Sequence, residues 1–105
     1  MSPQDAISIA TNFVSLASQS LPIQKAFIFG SYAKNVADES SDIDVCVVSP
    51  ALGKDIIDET VFLGQIAGQI DLRIEPHPMS PEDFAEKYNP LAHEIRTHGI
   101  PLTVK

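Results

Sequence analysis

With 105 residues, 44% of them hydrophobic and 20% charged, the chain has the size and composition of one soluble globular domain spanning residues 1–105. A net charge of −7, with 7 Lys and Arg against 14 Asp and Glu, argues against a long nucleic-acid footprint, because phosphate-backbone binding rests on cationic side chains. One cysteine excludes an internal disulfide framework, and the absence of a basic-then-apolar leader or a long apolar run predicts a cytoplasmic protein with no membrane anchor.

Ser2-Pro3-Gln4-Asp5 opens a first helix: serine at the N-cap, proline at the first helical position, and an acid three residues after the cap. Ala6, Ile9, Ala10, Phe13, Leu16 and Ala17 continue it at helical spacing, and Pro22 sets its limit. Lys25 to Phe29 is a short apolar run stopped by Gly30 and reads as a buried strand. Ser31 to Asn35 is expected to form a turn or one short helix, followed by a polar, acidic connector from Val36 to Ser41. Ile43 to Val48, rich in β-branched residues and closed by Ser49-Pro50, is the second strand.

Residues 54 to 67 read as a helix with an acidic first turn at Asp55, Asp58 and Glu59. Gln69 to Glu75 alternates apolar and polar residues and is assigned as the third strand. Ser80-Pro81-Glu82-Asp83 repeats the capping pattern and starts another helix, which Pro90 interrupts. A last helix is expected from Leu91 to Thr97, and a short edge strand from Pro101 to Val104. The order α-β-β-α-β-α-β predicts an α/β (α+β) fold: a small mixed sheet of about four strands with helices packed against it.

The chemistry concentrates between the first two strands. Asp42 and Asp44 stand two apart at a strand entrance, so both carboxylates project from one face. Their mutual repulsion is relieved when a cation sits between them. Magnesium takes one or two carboxylates together with phosphate oxygens and retained water. An acidic chain can thereby bind a nucleoside triphosphate through a metal while avoiding a nucleic-acid polymer. Gly30 lets the backbone turn sharply and approach a ligand, and the amides after it can donate to phosphate oxygens. Ser31 adds a hydroxyl and Lys34 the nearby positive charge. Asp71, flanked by Ile70 and Leu72 in the assigned third strand, is the candidate third carboxylate.

The pattern Gly30-Ser31, ten residues, then Asp42-Ile43-Asp44 resembles that of the DNA polymerase beta nucleotidyltransferase superfamily. Within it, the chain is most similar to the minimal nucleotidyltransferases, short proteins often paired with a HEPN-domain toxin. The resemblance spans Ile23 to Leu102 and implies the nucleotidyltransferase fold. It implies that Asp42 and Asp44 hold two magnesium ions, and that Asp71 ligates one of them and helps deprotonate an acceptor hydroxyl. Gly30 and Ser31 would hold the β- and γ-phosphates of ATP. The implied reaction is in-line attack on the α-phosphorus with pyrophosphate leaving, the acceptor being a hydroxyl on the HEPN partner. Where the family often has Arg and Gly, this chain has Lys34, which loses the bidentate fork, and Asn35, which tolerates a left-handed backbone.

Plainer readings stand beside these. Asp42 and Asp44 can be a solvated strand entrance, Asp71 an exposed strand residue, and Lys34 a surface lysine. Arg73 shares a strand face with Asp71 and suggests an ion pair. Cys46 reads as a small core residue and His77, between two prolines, as a loop residue. His93 and His98 are five apart, which does not place them on one helix face. Two other functions remain open: a binding module that masks its partner without chemistry, and transfer to a small molecule such as an aminoglycoside. A cleft completed by a partner or by self-association is expected for so small a chain.

Overall fold

The computed structural model describes residues 1–38 and 40–104; positions 39, in the acidic connector, and 105 lie outside the described residues. Ser2 caps α1 (Pro3–Ala17) reciprocally, its hydroxyl accepting from the Asp5 N–H while the Asp5 carboxylate accepts from the Ser2 N–H. α1 ends well before Pro22 and buries Ala6, Ala10, Phe13, Val14 and Ala17. β1 (Lys25–Phe29) and β2 (Ile43–Val48) have the bounds their apolar runs predict. Residues 30–35 form turns and no helix, with Asn35 at a positive φ of 59°.

α2 (Ile56–Ala67) begins at an Asp55 N-cap, and the Glu59 carboxylate accepts from the N–H groups of Gly53, Lys54 and Asp55. β3 (Ile74–Met79), α3 (Pro81–Ala85), α4 (Pro90–His98) and β4 (Ile100–Pro101) complete the order. The strands form a mixed sheet in the order β3-β2-β1-β4, with β1 antiparallel to β2 and β4, and β2 parallel to β3. This is an α/β fold with helices on both faces of the sheet. Ile43, Val45 and Val47 join α1 and α2 in the larger core, while Cys46 and Val48 join Phe84, Ala92 and Ile95 of α3 and α4 in the smaller one. β2 is therefore nearly continuous in apolar residues, as a strand covered on both faces must be.

The third strand departs from expectation. Residues 69–71 continue from α2 as turns, their N–H groups bonding back to the Ile66 and Ala67 carbonyls. Leu72, one of the apolar positions of the apparent alternation, is 91% exposed. The strand starts at Ile74 and runs through Pro76 and Pro78. Prolines are admissible because β3 is an edge strand. The Arg73 and Met79 carbonyls accept from Ile43 and Ser49 of the β2 segment, which turns the backbone of residues 75 and 77 inward and that of Pro76 and Pro78 outward.

Candidate active site

The β2 face toward α4 changes from apolar to acidic along its length. Cys46 is fully buried, with burial pushing its thiol up to about 12, so it is a core residue and no nucleophile. Two residues earlier on the same face, Asp44 lies where the apolar packing ends, and Asp42 follows the same alternation just outside the strand. In the ladder Asp44 stands between Phe29 of β1 and Glu75 of β3. Gly30 follows Phe29 at φ +72°, and a Cβ there would collide with Asp44 Oδ2. Glycine is thus required twice, by the left-handed turn and by the approach of the Asp44 carboxylate to the backbone. The following turn closes through bonds from the N–H groups of Lys34, Asn35 and Val36 to the carbonyls of Gly30, Tyr32 and Ser31. The Tyr32 ring anchors it in the larger core.

Glu75 and His77 enter from β3. Their side chains share the face of Asp44, and His77 Nε2 lies 3.2 Å from Asp44 Oδ1. The imidazole packs edge-on against Phe29, ring centroids 4.8 Å apart. One ligand atom each from Asp44, Glu75 and His77 lies within 4.8 Å of the others. The limited desolvation of its otherwise exposed side chain first, then repulsion from Asp44 and from Asp42, raises the Glu75 carboxyl from its ordinary value, against the pull of His77. Carboxyl groups crowded with one of them resisting ionisation are what a bound divalent cation relieves, and two carboxylates with an imidazole form a donor set that fits one. Beside this cluster a cleft of about 340 Å³ opens between β3 and the helices, lined by Thr60, Glu75, His77, Met79, Asn89 and Leu91 among others.

Asp71 is not brought to this cluster. It sits in the turn before β3, where its Oδ1 accepts from the Arg73 N–H and Nε–H at 2.9 Å each and its Oδ2 accepts from Arg73 Nη2 at 2.7 Å. The Arg73 guanidinium holds its carboxyl at about 2. The expected Asp71–Arg73 ion pair exists, but as the lock of a turn and not on a strand. The strand acid beside Asp44 is Glu75, and the histidine read as a loop residue stands in β3 against Asp44. The signal for both was the parallel pairing of an edge strand, which local alternation does not encode. Lys34 points to α4, its Nζ 2.7 Å from Glu94 Oε1.

A family model described as a nucleotidyltransferase domain matches residues 11–95, which include Gly30, Ser31, Asp42, Asp44, Glu75 and His77. A candidate nucleotidyltransferase from Sulfolobus solfataricus is similar in structure, with a TM-score of 0.69 at 18% identity, over 94% of this chain and 80% of that one. A toxin–antitoxin solved with AMP-PNP gives 0.63 at 22% identity, over 86% of this chain and 68% of that one. A mutant of the toxin–antitoxin MntA-HpeT gives 0.61 at 17% identity, over 100% of this chain and 75% of that one. At these identities the likeness is one of fold. Among curated proteins, no relative matches the chain.

Proposed function

The chain belongs to the nucleotidyltransferase domain family, and on that premise we propose that it transfers a nucleotidyl group, AMP from ATP, to a hydroxyl on a partner protein. The observation that carries this reading is the meeting of Asp44 and Glu75 beside a glycine whose missing Cβ makes room for the Asp44 carboxylate. Asp42, Asp44 and Glu75 would hold the divalent cations, two magnesium ions in the family's manner. When bound, these supply charge neutralisation of the triphosphate and stabilise the entering and leaving oxygens.

The remaining work falls to the chain's own groups. The turn at Gly30 and Ser31 would offer backbone N–H groups, as a turn can, and a hydroxyl to the β- and γ-phosphates. Glu75, in the cluster beside Asp44, would take the proton of the acceptor hydroxyl as its oxygen bonds to the α-phosphorus and the bond to pyrophosphate breaks. Lys34 reaches phosphate only by exchanging its Glu94 partner. The cleft beside Glu75 and His77 offers the acceptor an approach to the same atoms.

The neighbours in fold include toxin–antitoxin proteins, one of them solved with AMP-PNP. We take ATP as the donor and a toxin, of the HEPN type that the resemblance implies, as the acceptor, with this chain as the antitoxin. The test is incubation with α-labelled ATP, magnesium and the candidate toxin. Label is expected on the toxin with the native chain and absent with Asp44→Asn and with Glu75→Gln; equal labelling by those variants refutes the reading. A second reading, masking without chemistry, is favoured by the exposed Ile57 and Val61 on α2, which offer a docking face. It predicts that Asp44→Asn still neutralises the toxin in cells.

A further inference from the structure

The carboxylates of the proposed cation site share it with a nitrogen. His77 Nε2 and Asp44 Oδ1 are in hydrogen-bond contact at 3.2 Å, a separation that also suits two donors sharing one ion, which at bond lengths near 2.1 Å stand about 3.0–3.4 Å apart. Glu75 brings an oxygen within 4.8 Å of both. The imidazole is also held in place. His77 stands in a strand between Pro76 and Pro78, whose rings fix the backbone on either side, and its ring lies edge-on to Phe29 at 69°.

We infer that His77 is itself a cation ligand, and that with it the site favours a first-row transition ion of the iron–cobalt–zinc class over magnesium. This rests on the metal-dependent reading above and, at the position shared by Asp44, Glu75 and His77, puts a transition ion in place of the magnesium named there. Magnesium demands oxygen donors in near-octahedral array and keeps most of its water. An imidazole adds little to it, whereas a borderline transition ion gains a good ligand. Asp42 remains on the exposed side of the cluster as an oxygen donor for a second ion or for the ion–nucleotide complex.

Cobalt(II) is the probe, because direct coordination shifts imidazole proton resonances and gives a visible d–d spectrum. The whole chain is titrated with Co²⁺ and, separately, with Mg²⁺, by calorimetry and NMR without nucleotide. Native protein is expected to bind Co²⁺ at least about tenfold more tightly than Mg²⁺ and to shift His77 before His93 and His98. His77→Ala should lose at least about tenfold in Co²⁺ affinity and leave Mg²⁺ affinity unchanged. His77→Asp, which returns an oxygen donor, should narrow the Co²⁺-to-Mg²⁺ preference, and its thermal unfolding shows whether the fold survives substitution here. Native-like Co²⁺ affinity in His77→Ala, or equal native affinities for the two ions, overturns the inference while leaving Asp44-dependent binding and transfer standing. Unchanged binding of both ions in Asp44→Asn and Glu75→Gln instead removes the metal-dependent reading itself.

Discussion

Asp44→Asn should make the metal-free protein more stable while removing its activity. The ligand atoms of Asp44 and Glu75 lie within 4.8 Å. Two unit charges at that spacing repel by about 0.9 kcal/mol in water and about 3.5 kcal/mol at an effective dielectric near 20. Glu75 is exposed and the Asp44 side chain keeps 24% of its surface in solvent, so the lower figure governs and about 1 kcal/mol is expected. Asparagine keeps an acceptor oxygen for His77, so the geometry of the contact survives. For a chain of this length 1 kcal/mol corresponds to a melting shift of about 4–8 °C.

The pH dependence has a definite sign. The Glu75 carboxyl titrates higher in the folded protein than unfolded, so its burden on stability is absent below the unfolded carboxylate range and grows as pH rises through the folded value. The gain from Asp44→Asn should therefore be full at neutral pH and small near about pH 4. The assay is calorimetric unfolding of both proteins in EDTA across that range, then with a divalent ion, which should close the gap by stabilising the native chain alone. An Asp44→Asn protein that melts below the native chain at neutral pH, or that gains as much in acid, refutes the repulsion argument.

Gly30→Ala should lose about 1–2 kcal/mol from its positive φ alone, measured by urea unfolding, and weaken nucleotide binding by displacing the Asp44 carboxylate. In an Asp44→Ala background the same change should retain only the φ penalty, so a double-mutant cycle reads the collision directly. Asp71→Asn should leave transfer within about twofold while Glu75→Gln removes at least about a hundredfold, measured as initial rates; the reverse ranking would return Asp71 to the site. By NMR the Asp71 carboxyl should titrate at about 2 in the native chain and move up towards the ordinary range in Arg73→Ala. The Tyr32 hydroxyl is buried with no hydrogen-bond partner among the described residues, so Tyr32→Phe should be neutral to about 1 kcal/mol stabilising in the same unfolding assay.

The legibility of the site followed the range of its interactions. β1 and β2 are short apolar runs ended by Gly30 and by Ser49-Pro50, and their bounds are local information. The Gly30 turn and the Asp42–Asp44 spacing are local too, and so is the left-handed Asn35. β3 is different. Gln69 to Glu75 has the alternation of a strand because Ile70 tucks against the core beneath α2, while Leu72 lies in solvent. Pro76 and Pro78 look like strand breakers until the partner on one side only is known. A third carboxylate sought by sequence alone therefore falls on Asp71, four residues short of Glu75, and His77 is passed over.

The same prolines constrain how a partner reaches the site. An edge strand invites a neighbouring chain to extend the sheet through its unpaired N–H and C=O groups. On β3 the outward backbone positions include Pro76 and Pro78, which have no N–H to offer, and the opposite edge, β4, is two residues long and contains Pro101. Strand addition is therefore disfavoured at both edges. On the proposed reading, an acceptor protein would come over the helices or into the cleft beside β3. The cleft route brings it against Glu75 and His77, the residues that face Asp44. The strand that completes the acidic cluster is then also the strand that keeps the sheet from being extended, so a partner engaging the cleft would meet the side chains of Glu75 and His77 rather than an open backbone edge.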